Sequence, residues 1–496
     1  MRFKNAMKNI GMGLFLQVIT ALNSLFVSRL ILSEYGSAVN GLVMSITQFL
    51  AYASLLEAGV GGVIRAELFR PLAERSESKI SNVIWAAKDY FHKMAMISLA
   101  YFSMFAIIFP FTVHENFSWL YIFSLVCIMC ISTFCEYFFC MTYINLLSAD
   151  QKIWIINGLN SVVMIISMIV SFVSIKMGFS IQIVKAMGIL VFMIKPVFYT
   201  FFVRKHYHIV SKDKCEPYQL KQKGSAFTHN IALFVFNNTA IALITFFLGV
   251  KEVSVYAVYF SVASGMERIV TAISNGCAAG IGDLIAHNNR KQLQSVFNQI
   301  EVVQGFVSGI LYSTAAILII PFVYVYTEGI TDVDYIRPMF AIMLLLAQFV
   351  YCMKSLYSIV ILNAGHYKQT KIFAVAEAVS NIIISTILIN KIGILGVAIG
   401  TFSAVTIRMV LDIFYLRKNI LFRSPLRVLK LLLVDLSIAF VAYSLFKNMD
   451  LASFTWIKWF EQAIFTGIVV SLISVVMYLI FYKKECIGLI RRVIHK

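Results

Sequence analysis

Twelve charged residues stand inside otherwise apolar stretches of the chain: Arg29, Glu57, Glu136, Lys185, Lys195, Glu267, Arg268, Lys354, Glu377, Arg408, Asp412 and Asp435. A charge at the centre of a membrane helix costs about 2.5–3.5 kcal/mol on insertion scales, so one that is kept there faces water, a partner or a ligand. Arg268 carries the most information. Ser261, Ser264, Thr271 and Asn275 share its face at helical spacing and make one polar stripe. A guanidinium on such a stripe suits an anion, because its fork donates two parallel hydrogen bonds to a phosphate. Glu267 projects about 100° away and is not its side-by-side partner. A cavity-facing role and an interhelical salt bridge both fit Arg268.

The other positions divide by type. Lys354 lies on a stripe with Tyr351 and Ser358, and Glu136 stands at a comparable depth in the first half of the chain. The two either face one another across a cleft or lock one conformation. Arg29 is close enough to a helix end to snorkel to headgroups. Lys195-Pro196 joins a cation to a kink, since proline removes a backbone hydrogen bond. Arg408 and Asp412, spaced i and i+4, are expected to pair with each other. Glu57 shares a face with Thr47, Ser54 and Gly61. A carboxyl in low dielectric can bind and release a proton near neutral pH, but packing beside the glycines is the rival reading for Glu57. Arg268, Lys354, Arg29 and Lys195 are thus the candidate anion-binding groups, and Glu57 and Glu136 the candidate ion-coupling groups.

These residues must be positioned by membrane helices. Of 496 residues, 60% are hydrophobic and 13% charged, and the mean hydropathy is +0.83. A water-soluble domain carries about 25% charged residues, which excludes a cytosolic enzyme, a secreted domain and a disordered chain. Apolar runs long enough to cross the roughly 30 Å hydrocarbon core recur throughout. Fourteen spans are expected, beginning with 10–32, 38–64 and 92–113 and ending with 461–482. The start, Met1-Arg2-Phe3-Lys4, reads as leading into an uncleaved first span.

The 42 Lys+Arg against 24 Asp+Glu, a net +18, follow the positive-inside rule rather than marking a nucleic-acid surface. About thirty of the cations fall on one side of the fourteen spans and about six on the other, which places both termini in the cytoplasm. The basic connections are 65–91 and 204–227, and Leu72 to Phe91 reads as a surface helix on anionic lipid or a solvated linker helix. Outward connections such as Ser33 to Ser37 are too short for an extracytoplasmic domain. The eight cysteines, including the Cys127-x-x-Cys130 pair, read as membrane packing. No metal site, catalytic group or cofactor is expected.

The halves echo each other at offsets of about 211 to 216 residues. Asn23-Ser24 matches Asn237-Asn238, Glu67-Leu68 matches Asp283-Leu284, and Ile108-Phe109-Pro110-Phe111 matches Ile319-Ile320-Pro321-Phe322. Six spans per repeat is even, so the repeats enter from the same side and are parallel. The expected fold is an all-α polytopic membrane protein with two pseudo-symmetric six-helix lobes plus two C-terminal helices. Residues 1–203 form the first lobe, 204–227 a linker, 228–416 the second lobe, and 417–496 the added helices and a basic tail.

Ser28-Arg29-Leu30, Glu34-Tyr35-Gly36, Asn40-Gly41-Leu42 and the glycine-rich Leu56-Glu57-Ala58-Gly59-Val60-Gly61-Gly62 carry a family likeness. Over spans 1 to 12 the chain resembles the polysaccharide-transporter branch, Wzx-type O-antigen and capsule-unit flippases, of the multidrug/oligosaccharidyl-lipid/polysaccharide flippase superfamily. The resemblance implies a transporter, not an enzyme. It would flip an oligosaccharide on an undecaprenyl diphosphate carrier across a bacterial inner membrane for lipopolysaccharide or other surface polysaccharide, coupled to H+ or Na+. A polysaccharide polymerase and a chain-length regulator are the implied protein partners, with membrane lipids around the chain and no nucleic acid. A lipid II flippase and a multidrug cation antiporter of the same superfamily are the alternatives.

Overall fold

The computed structural model describes residues 2–57, 60–113, 115, 117–215, 218, 224–287, 289–447, 449–486 and 488; the side chains of 2–6, 56, 57, 214 and 224–228 lie outside that description. Every regular element among the described residues is helical. Among the described residues, thirteen segments are long and apolar enough to cross a membrane. The first, α1 (Arg2–Ala51), has 50 residues. One straight rod of that length would measure about 75 Å, over twice the hydrocarbon core. It is broken at Gly36 (φ 80°, ψ 176°), a backbone conformation open to a residue without Cβ. Counting the two arms of α1 separately gives the fourteen spans expected from hydropathy. Large apolar side chains face outward along the spans, among them Phe440 (73% exposed) and Ile457 (73%), as lipid-facing helices require. The chain is a multi-pass membrane protein.

The chain forms two compact units. The first comprises Met1–Phe234 and Gly249–Ser254. After α1 come a 3₁₀ turn Tyr52–Glu57, α2 (Val60–Glu74) and α3 (Glu77–Ile108). Then follow α4 (Trp119–Cys135), a π turn Glu136–Cys140 and α5 (Met141–Ala149). The unit is completed by α6 (Ile153–Lys176), α7 (Ile181–Phe192) and α8 (Ile194–His206). α1 packs along α6, and α7 lies against both α6 and α4. Cys140, Leu147, Ile156, Val163, Val191 and Tyr199 close a buried core between α5, α6 and the α7–α8 pair.

Two connections differ from expectation. Leu72 to Phe91 is not a separate surface helix. The chain turns at Arg75 (φ 51°), Ser76 takes an extended N-cap conformation, and α3 then runs unbroken for 32 residues. The turn is tied by Glu74, which binds Arg70 at 2.7 Å and Lys79 at 2.8 Å. The start of the basic connection 204–227 is strapped along α3. Trp85 Nε1 donates to the Val210 carbonyl (2.8 Å), the Val210 N–H donates to Ser81 Oγ (2.9 Å), and Lys212 pairs with Asp89. Lys221 and Lys223 lie outside the described residues.

The tip Gly249–Ser254 is held within the first unit by polar contacts. Glu115 accepts from the Val250 N–H at 2.8 Å. Asn40 Nδ2 donates to Ser254 Oγ (2.7 Å) while Asn40 Oδ1 accepts from Ser28 (3.0 Å). A Cβ at Gly41 would lie 1.7 Å from the Val250 carbonyl oxygen, so only glycine permits this approach.

The second unit comprises Val235–Leu248 and Val255–Lys496. Its helices are the remainder of α9 (Gly224–Leu248) and of α10 (Val250–Ala286), then α11 (Arg290–Tyr326), α12 (Pro338–Asn363), α13 (Tyr367–Ile392) and α14 (Ile394–Asn419). α15 (Leu426–Phe446) and α16 (Trp456–Phe481) pack on α11. There Tyr478 donates to Asp435 at 2.8 Å, over Gly305 and Gly309. α13 and α14 approach closely at Gly400, where a Cβ would meet Ser385 Oγ at 2.0 Å. Small residues at membrane helix crossings permit such contact.

Candidate functional site

A cavity of about 790 Å³ lies in the first unit. Its walls come from α1, α4, α6 and the α7–α8 pair, each supplying one face of a helix. α1 gives Leu16, Thr20 and Asn23, at i, i+4 and i+7, and beyond Gly36 it gives Thr47. α6 gives Asn160 and Ser167, two turns apart. Lys185, Gly188, Phe192 and Lys195, at i, i+3, i+7 and i+10, form the α7–α8 wall.

The backbone is irregular where it meets the cavity. Ser54, a wall residue, sits in the 3₁₀ turn Tyr52–Glu57. Glu136 opens the π turn, whose wider loop interrupts the helix between Cys135 and Met141. The α7–α8 pair is broken at Met193. The break follows from Pro196, which has no N–H to give the Phe192 carbonyl and whose ring crowds it. Non-helical backbone at membrane depth is tolerated where it is buried in protein or lines a wet cavity. π turns inside helices recur at functional sites.

The polar groups on these walls hold little of each other. Thr20 and Thr47 bond back to the carbonyls of Leu16 and Val43, both at 2.8 Å. Their oxygens keep acceptor capacity. The Lys195 ammonium lies 4.9 Å from the Phe192 ring centroid. Among the described residues, Glu136, Lys185 and Lys195 form no ion pair and no side-chain hydrogen bond. Neither do the amides of Asn23 and Asn160. Two lysines and one glutamate leave the cavity with one net positive charge among its lining residues. Cations, amides and hydroxyls around a void of this size suit an anionic, hydroxyl-rich ligand.

The sequence-predicted groups fall in different places. Glu136 and Lys195 are brought together on the cavity wall. The side chain of Glu57 lies outside the described residues. Arg29 is half-buried on α1, seven residues before the break at Gly36. Arg268 is exposed on α10. Lys354, on α12, is 3% exposed and pairs with Glu377 of α13 at 2.6 Å. Its ammonium also sits 4.3 Å from the Tyr351 ring centroid and 5.4 Å from that of Phe236. Arg408 and Asp412 pair at 3.0 Å, as their spacing predicts, and Ser358 donates to Asp412 at 2.7 Å.

Lys185, one of the twelve intramembrane charges, was not among the anion-binding or ion-coupling candidates, and neither were the wall amides Asn23 and Asn160. The signal for Lys185 was present: it shares a helical face with Lys195, but the break at Met193 obscures that register in a hydropathy trace.

No protein-family model matches the chain, and no curated protein matches it in sequence. Comparison with solved structures finds the architecture. The chain is similar to lipid II flippase MurJ in an inward closed conformation, with 19% identity over 96% of this chain and 99% of that one at a TM-score of 0.66. It is also similar to an inward-facing multidrug resistance MATE family transporter of the MOP superfamily, with 13% identity over 83% of this chain and 97% of that one at a TM-score of 0.64. An outward-facing conformation of such a transporter matches at 11% identity over 83% and 94%, with a TM-score of 0.55. The chain therefore has the polytopic helical fold of MurJ and MATE proteins, which are named as carriers rather than enzymes.

Proposed function

We propose that the chain is a flippase that carries the head of an undecaprenyl-diphosphate-linked oligosaccharide across a bacterial cytoplasmic membrane by alternating access. The observation that carries this reading is the first-unit cavity, with Lys185, Lys195 and Glu136 free of ion pairs on walls of interrupted helix. A diphosphate is anionic and its sugars present many hydroxyls. Lysines supply charge to the former, while Asn23, Asn160 and the wall hydroxyls supply hydrogen bonds to the latter. The lipid tail remains in the bilayer throughout.

In this reading residues 1–203 and 228–416 act as two parallel six-helix lobes, with both termini cytoplasmic. Arg29 and Arg268 add cationic contacts along the path. Glu136, and Glu57 beside the glycine-rich segment, respond to H+ or Na+ and reset the carrier. The Lys354–Glu377 pair braces the second unit rather than holding the diphosphate, because its charge is already matched.

The test is transport of a fluorescent lipid-linked oligosaccharide in proteoliposomes. Inward movement that depends on the protein and is lost in Lys185→Gln/Lys195→Gln supports the reading. Transport of an organic cation with no lipid-linked sugar transport would favour a multidrug antiporter instead. A net positive wall disfavours that alternative, because cationic substrates call for carboxylates. Selective transport of lipid II would favour the cell-wall precursor.

A further inference from the structure

The second unit holds another cavity, about 590 Å³, lined by residues of α11, the α14–α15 turn and the ends of α15 and α16. It lies where two spans end, since α15 begins its crossing at Leu426 and α16 finishes at Phe481. Its place is therefore the membrane–water boundary. Arg423, Arg427 and Lys430 line it against the single carboxylate of Glu485, so its lining residues carry two net positive charges.

Protein partners do not use these cations fully. Arg423 is consumed: its fork holds Glu301, and it donates to Asn298 at 2.9 Å. Glu301 is saturated, since Tyr357 also donates to it at 2.7 Å. Arg427 reaches Glu485 through Nη2 at 2.6 Å. Its Nε is buried without a hydrogen bond, 3.5 Å from Glu301. Lys430 meets no carboxylate among the described residues. Its ammonium donates to the Phe481 carbonyl (3.1 Å) and lies over the Phe481 and Tyr482 rings. Tyr482 is 4% exposed, lines the same cavity, and its hydroxyl has no hydrogen-bond partner. A buried donor left unmade is costly. Arg427, Lys430 and Tyr482 thus line one void, and the Lys430 ammonium, exposed and without a carboxylate among the described residues, is the cation left to a ligand there.

The surroundings specify what fills it. The face of α15 that bears Lys430 also bears Leu426, Leu433 and Phe440 at i−4, i+3 and i+10, and these are 71%, 55% and 73% exposed. An anion bound here would continue into apolar surface. We propose that this cavity binds the phosphate headgroup of an anionic bilayer phospholipid, with its acyl chains along α15. Basic pockets between membrane helices at the interface take such headgroups. The inference needs only the spans, not the transport reading above.

The test uses the purified full chain in nanodiscs, with bound lipid counted by native mass spectrometry. Phosphatidylglycerol should be retained in preference to phosphatidylcholine. Lys430→Gln leaves the Glu301 and Glu485 pairs intact and should weaken that retention about fivefold. Tyr482→Phe should weaken it less, and both variants should keep the parent's melting temperature. Glycerol 3-phosphate or inorganic phosphate displacing the lipid at millimolar concentration would assign the site to a free anion and overturn the proposal. So would equal retention of phosphatidylcholine, retention unchanged in both variants, or loss of a lipid-linked diphosphate alone.

Discussion

Lys354 and Glu377 join α12 to α13 through a 2.6 Å contact with both side chains almost wholly buried, at 4% and 1% exposure. Removing one member strands a charge that no water reaches. Lys354→Met or Glu377→Leu alone should therefore destabilise the protein by about 3–5 kcal/mol. The double replacement, which leaves no charge behind, should recover most of that loss. Thermal unfolding of the three variants in the same detergent checks the coupling.

Lys185→Gln and Lys195→Gln should act on transport, not on folding. Neither residue forms an ion pair or a side-chain hydrogen bond among the described residues, so each variant should insert and melt as the parent does. A charge-assisted hydrogen bond contributes about 1.5–3 kcal/mol, so each replacement should slow transport of a lipid-linked oligosaccharide about tenfold or more. Parallel measurement of rate and melting temperature separates this outcome from misfolding.

Glu136→Gln keeps the shape of the π-turn residue and removes its charge. Transport driven by an imposed proton or sodium gradient should fall to the rate seen without the gradient, while exchange at equilibrium persists. A gradient response equal to the parent's would take Glu136 out of the coupling role.

Gly41→Ala places a methyl group against the Val250 carbonyl, where 1.7 Å of separation leaves no room. Backbone must move on one side or the other, at a cost of about 1–3 kcal/mol. The variant should melt earlier than the parent. Asn40→Ala should do likewise, because Ser28 and Ser254 both lose their buried partner.

The spans were legible because lipid-facing helices must be apolar on every outward turn, and that constraint is written residue by residue. Even the division of the first 50-residue helix showed, since Gly36 stands in a short polar interval. Glu136 and Lys195, which line the first-unit cavity, were legible as candidates because an intramembrane charge stands out. What hydropathy does not encode is which charges find each other. Lys354 and Lys195 look alike in a trace, yet one meets Glu377 and the other faces a void. That choice depends on helix rotation, set by crossings such as Gly400 on Ser385. The π turn was hidden because it needs no proline or glycine. The continuity of α3 was hidden because its first turns are polar enough to read as a loop.

The break at Met193 bears on how the chain is made. A span with a complete set of i→i−4 bonds is content alone in lipid, but one with a bared carbonyl is not. The segment Ile181–His206 carries such a defect at Pro196, which has no N–H to give the Phe192 carbonyl, and α7 rests on α4 and α6. Released singly into the bilayer, it would turn that carbonyl toward acyl chains, so this cavity wall is expected to become membrane-tolerant only once α4 and α6 are in place.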